Sequence, residues 1–183
     1  MDEAVAALKA EMEHVQVDGR ILTPVFGPFD QIVFEMYFED FAAERKFWDH
    51  WFSLPTTPQF FEQAAARYIP GGSNETWQVY DPVAGFRIGK IVNRQTVLVK
   101  VGHMQKTIQL LLALRESGNT SFEIETAIYG PNDTLALDFN FESIAAHDQA
   151  WADFFSAPEA GPFYEKWFEL VEVGVTNEIW EVR

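Results

Sequence analysis

The chain has no cysteine in its 183 residues and few cations, 13 Lys and Arg against 28 Asp and Glu, for a formal net charge of −15. Without cysteine there are no disulfides, no thiolate zinc sites and no cysteine nucleophile, a composition that suits a reducing, cytoplasmic setting. The negative charge argues against a nucleic-acid partner, whose phosphates require a cationic surface. No apolar run approaches the roughly 18 residues of a membrane span, and Met1-Asp2-Glu3 lacks the basic start of a signal peptide. No Gly-x-Gly-x-x-Gly, phosphate-binding loop or Gly-x-Ser-x-Gly elbow occurs. The four histidines, His14, His50, His103 and His147, show no metal-ligand spacing, so neither a cofactor nor a metal is expected. What is abundant is core material: 48% hydrophobic residues, with 17 Phe and 6 Trp, enough to fold a chain of this length.

Sliding the sequence against itself by 103 positions aligns Ala4–Tyr80 with Thr107–Arg183 without a gap, at 23 identities in 77 positions. Gly27-Pro28-Phe29-Asp30 falls on Gly130-Pro131-Asn132-Asp133. Trp48, Phe52, Ser53 and Pro55 fall on Trp151, Phe155, Ser156 and Pro158. Asn74-Glu75-Thr76-Trp77 falls on Asn177-Glu178-Ile179-Trp180. The chain reads as an internal duplication.

Each copy then yields the same elements. A helix with Val5, Leu8 and Met12 (Ile108, Leu111 and Leu112 in the second copy) precedes a strand, Ile21–Phe26 or Phe122–Tyr129, closed by Gly-Pro-x-Asp. The next strand alternates: Ile32, Phe34, Met36 and Phe38 against Val33, Glu35, Tyr37 and Glu39, repeated as Leu135, Leu137, Phe139 and Phe141 against Ala136, Asp138, Asn140 and Glu142. Asp40 and Ser143 are N-caps of a helix whose buried stripe is Phe41, Trp48, Trp51 and Phe52, or Ile144, Trp151, Phe154 and Phe155. A shorter helix, Phe60–Tyr68 or Phe163–Val171, and a closing strand with Trp77 and Val79, or Trp180 and Val182, complete the copy. Trp48 and Trp151, Trp77 and Trp180, and Trp51 with its counterpart Phe154 read as core.

The second copy is preceded by a strand, Thr96–Val101, giving β-α-β-β-α-β, the ferredoxin-like unit. The first copy lacks that opening strand, whose central seat cannot stay empty without orphaning backbone groups. The segment Phe86–Val92 is the spare, delivered by the Asp81-Pro82-Val83-Ala84-Gly85 turn. The expectation is an α+β chain of two tandem ferredoxin-like halves, residues 1–92 and 93–183, the first circularly permuted. A natural strand ahead of Met1 is the alternative.

The turn Phe26-Gly27-Pro28, the strand Phe34-Glu35-Met36-Tyr37-Phe38-Glu39, the Ala-Ala helix and the closing Asn177-Glu178-Ile179-Trp180-Glu181-Val182 together resemble NIPSNAP-like proteins of the dimeric α/β-barrel superfamily. The resemblance implies that two ferredoxin-like sheets meet face to face around a lumen, with helices outside. A duplicated chain would then form its pseudo-dimer intramolecularly. It also implies relatives ranging from cofactor-free monooxygenases and haem-degrading oxygenases to isomerases, cyclases and members without known activity.

Strand parity assigns the inward side chains. With Ile32, Phe34, Met36 and Phe38 on the helix side, Glu35, Tyr37, Glu39, Asp138, Asn140 and Glu142 face inward, joined by Thr96, Leu98, Lys100, Glu123 and Glu125. Enclosed carboxylates lose hydration, which favours their protonated form and makes them candidate bases. Glu35 and Asp138 are the candidate catalytic pair, and Tyr37, Asn140 and Lys100 the ligand-orienting donors. The plain alternative is a hydrated barrel end with Lys100 neutralising one acid. His103, in Gly102-His103-Met104 at a strand end, is a third catalytic candidate or else a turn residue, and His50 and His147 read as solvent-facing.

The leading expectation is a barrel that binds a small hydrophobic or aromatic molecule. The rivals are a cofactor-independent monooxygenase or isomerase using Glu35 or Asp138, and a structural or oligomer-forming protein without a ligand.

Overall fold

The computed structural model describes residues 1–67, 73–83, 86–118, 121–130, 133–172 and 176–183. In order these form α1 (Asp2–Val15), β1 (Gly19–Phe26), β2 (Val33–Met36), α2 (Phe41–Ser53), α3 (Thr57–Arg67), β3 (Thr76–Tyr80), β4 (Ile91–Leu98), α4 (Met104–Glu116), β5 (Glu123–Tyr129), β6 (Thr134–Phe141), α5 (Ile144–Ser156), α6 (Ala160–Leu170) and β7 (Thr176–Val182). The sequence motifs at Gly71-Gly72, Pro131-Asn132 and Ala84-Gly85 lie outside the described residues. No described helix is long and apolar enough to cross a membrane.

Two compact units emerge, one of Met1–Thr23, Asp30–Ser73 and Arg183, the other of Pro24–Phe29 and Asn74–Val182. In the first, β1 and β2 form an antiparallel hairpin with Arg20 opposite Glu35 and Ile21 opposite Phe34. Gly19 permits the close approach of the strands, because a Cβ there would sit 2.1 Å from the Glu35 carbonyl oxygen. Val5 and Leu8 of α1 bury against Ile21, with Ile32, Phe34 and Phe60 packed around them. Alternation therefore puts Glu35 on the face away from α1.

The second unit carries the larger core. Its strands lie in the order β7-β4-β6-β5-β3, all neighbours antiparallel. The four strands β4, β5, β6 and β7, with α4 after β4 and α5 and α6 after β6, make the ferredoxin-like arrangement with its first strand central. Val97, Leu135, Leu137, Phe139, Phe122 and Ile124 pack on Ile108 and Leu111 of α4 and Trp167 of α6. At an apolar transfer value of roughly 25 cal/mol per Å², this cluster is the main stabilising mass of the unit.

The helices start where local chemistry directs. The Asp40 carboxylate accepts from Ala43 N–H at 2.8 Å, and the Ser143 hydroxyl from Ala146 N–H at 3.2 Å. Helices α2 and α5, and likewise α3 and α6, begin and end 103 positions apart.

The expected permutation is corrected. Residues 86–88 form a short 3-10 turn, and Ile91 and Val92 open β4, which pairs with β6 and β7 rather than with the first copy. The expected boundary between residues 92 and 93 thus falls inside β4. Gly89 sets this entry, since a Cβ there would come 2.9 Å from the Phe141 amide nitrogen, while Lys90 N–H donates to Phe141 O at 2.9 Å. The closing strand of the first copy, β3, pairs with β5 of the second.

The aromatic stripes are corrected in part. Trp51 and Phe154 are buried, Trp48 and Trp151 half-buried, and Phe41, Phe52, Ile144 and Phe155 exposed, Phe52 by 62% and Phe155 by 61%. A short helix pair covers only one wall of its neighbour, so the outer rings stack on one another instead. Phe155 stacks on Tyr164, and Tyr164 on Phe168. Trp167 and Trp180 are buried, whereas Trp77 is half-buried and donates to Glu75.

Candidate ligand site on the polar sheet face

In the second unit, the face of the sheet turned from α4 and α6 carries a row of acidic and basic side chains. Register sets Glu178, Arg94, Asp138 and Glu123 side by side across β7, β4, β6 and β5. Arg94 grips Asp138 with two bonds, Nε to Oδ1 and Nη2 to Oδ2, each 2.7 Å. Glu125 Oε2 lies 3.7 Å from the same Nη2, and Arg87 Nε donates to Glu123 Oε2 at 2.8 Å. Asp138 is 0% exposed and Glu123 and Glu125 are buried, so the three carboxylates meet two guanidinium groups in a place with little water. Fork geometry suits Arg for this duty better than Lys.

The neighbouring row holds Trp180, Val92 and Asn140 on the same face. Trp180 is 2% exposed, and its indole N–H is buried without an acceptor among the described residues. An unmade hydrogen bond at a buried donor costs about 1–3 kcal/mol.

The first unit repeats the theme with different parts. Glu35 Oε2 accepts from Arg20 Nε at 2.5 Å and from the Tyr37 hydroxyl at 2.9 Å. Glu35 and Asp138 are equivalent in the 103-residue offset, but Arg20 corresponds to Glu123. The first copy therefore draws its guanidinium from the hairpin partner, the second from the central strand β4.

Other expected site residues lie elsewhere. Lys100 is beyond the end of β4, so strand parity no longer governs it. Its Nζ donates to Phe168 O at 2.9 Å and Glu169 O at 3.1 Å, capping the C-terminus of α6. Glu39 follows the end of β2 and Glu142 the end of β6, and both are exposed. Leu98 is exposed as well. His103 is half-buried at the N-cap of α4, makes no capping bond with its side chain, and leaves Nδ1 buried without a partner among the described residues.

His147 corrects the solvent-facing expectation. It is buried, its Nε2 accepting from Trp151 Nε1 at 3.0 Å and its Nδ1 facing Asp148 Oδ1 at 2.8 Å. His50 is exposed. Among the described residues no three acidic or imidazole side chains converge as metal ligands.

Sequence reasoning missed Arg94, Arg87, Arg20 and Trp180 as members of these clusters. The signal for Arg94 was parity with Thr96 along β4, hidden because the strand was begun five residues late.

The sequence matches no family model and no curated protein. Solved structures are similar in fold. The "putative monooxygenase" of Fusobacterium nucleatum subsp. nucleatum superposes with a TM-score of 0.65 at 12% identity, covering 99% of this chain and 85% of that one. The "putative monooxygenase" of Lactobacillus acidophilus gives 0.62 at 8%, covering 99% and 86%. An anthrone oxidase-like protein gives 0.51 at 14%, covering 100% and 86%. At such identities the likeness concerns the fold alone.

Proposed function

We propose that the chain is a duplicated, NIPSNAP-like member of the dimeric α/β-barrel group that binds a small aromatic ketone or phenol on the polar face of the second unit's sheet. The observation that carries this reading is the buried N–H of Trp180, without an acceptor among the described residues, on the same face as the Arg94–Asp138 pair. The ligand oxygen accepts from Trp180, Asn140 orients it from the same row, and the aromatic body takes the place of water. Asp138 holds Arg94 in position. In the first unit Glu35, Tyr37 and Arg20 form the corresponding polar cluster.

Oxygenation is the second reading, favoured by neighbours whose names are monooxygenase and anthrone oxidase-like. For anthrone as probe, the balanced step converts the ring methylene to a carbonyl. One atom of O₂ becomes that carbonyl oxygen, and the other leaves as water with both methylene hydrogens. Titration of the purified protein with anthrone, followed by tryptophan fluorescence and an oxygen electrode, separates the readings. Saturable quenching that Trp180→Phe weakens supports binding, and oxygen uptake above the protein-free rate supports oxygenation. Absence of saturable quenching by anthrone and by simple phenols would remove the proposal.

A further inference from the structure

We infer that the outer edge of β2 is a receptor for an added antiparallel strand, and that its occupant is an extended segment patterned like β4. This inference is independent of the ligand reading. Its basis is a comparison inside the chain. β2 and β6 stand 103 residues apart, and β6 is bonded on both edges, to β5 and to β4. β2 is bonded only to β1 among the described residues.

The direction of the free groups follows from alternation. In an antiparallel pair, successive residues point their N–H and C=O to opposite edges. Tyr37 N–H donates to Asp18 O at 2.9 Å, so Tyr37, Glu35 and Val33 turn toward β1, and Phe34 and Met36 turn outward. Their equivalents, Leu137 and Phe139, have the parity of residues bonded to β4, as Lys90 N–H to Phe141 O at 2.9 Å and Val99 N–H to Asp133 O at 2.8 Å show at the two ends. Phe34 and Met36 are half-buried, and among the described residues no strand pairs with β2 on the outer side. A sheet edge with no strand partner among the described residues is a template for strand addition.

The second copy also shows what the seat accepts. Leu137 faces Gln95, Phe139 faces Asn93 and Leu135 faces Val97. By the offset, the incoming strand sets an apolar residue opposite Ile32, where Phe34 and Ile32 already meet the α1 core. Opposite Glu35 it needs no arginine, because Arg20 holds that carboxylate.

The probe is a labelled synthetic peptide with the sequence Ile91–Lys100, titrated into the intact chain by fluorescence anisotropy. The expected result is one-to-one saturable binding. N-methylation at Asn93 and Gln95 of the peptide should weaken it about tenfold or more, the loss of one or two backbone bonds, and N-methylation at Arg94 and Thr96 should not. Met36→Pro in the protein should weaken it similarly, and the peptide series stands by itself if that variant does not fold. No saturable binding, or equal loss with both methylation patterns, overturns the inference. So does sedimentation showing that the free chain dimerises and releases no monomer on adding peptide, since a second copy would then occupy the edge.

Discussion

Arg94 and Asp138, neighbours across β4 and β6, are joined by two parallel bonds of 2.7 Å in a site where the carboxylate sees no solvent. Such a pair contributes little net stability over an apolar isostere, yet removing one member strands a buried charge. Arg94→Met is therefore expected to destabilise the chain by about 3–5 kcal/mol in denaturant titrations. Arg94→Met with Asp138→Leu should recover most of that loss. A double variant as unstable as the single one would mean that the pair does more than neutralise itself.

Arg20→Met should cost less than Arg94→Met. Glu35 keeps the Tyr37 hydroxyl as a donor and its side chain retains 13% exposure, so water can share its charge. Equal losses in the same titrations would show that the two clusters are equally dry.

Lys100 caps a helix by its contacts. Lys100→Ala is expected to lower stability by about 0.5–1 kcal/mol through the exposed C-terminus of α6, leaving binding of the aromatic probe unchanged. Loss of probe binding without loss of stability would return Lys100 to the ligand.

Tyr164, stacked between Phe155 and Phe168, has its phenol pushed above the ordinary value of 10.0 by burial. The neutral form is the one the folded state favours. Its contribution is present in full below pH 10.0 and disappears as pH rises through the elevated folded value. Near-ultraviolet phenolate absorbance should show one tyrosine titrating late, and Tyr164→Phe should abolish that component.

The sequence carried both helix pairs and their Asp40 and Ser143 caps, because similar stripes 103 residues apart reinforce each other. It also carried the parity of β6, since Leu135, Leu137 and Phe139 alternate cleanly with Asp138 and Asn140. Arg94 was illegible for a physical reason. In Asn93-Arg94-Gln95 both faces of β4 are polar, one buried in an amide contact with Asn177 and Glu178, the other in the ion pair, so no hydrophobic period marks the strand. Lys100 was misread because parity was extended past Leu98, where the strand ends. The exposure of Phe52 and Phe155 was hidden because helical spacing shows that residues share a face, not how far the neighbouring element reaches across it.

The most direct test of the ligand proposal is a crystal structure of the chain with the aromatic ketone bound. The expected map places the ketone oxygen about 2.9 Å from Trp180 Nε1, with the Arg94–Asp138 pair intact beside it. A ligand found away from β7, with the indole N–H on water or a side chain, would contradict the proposed site.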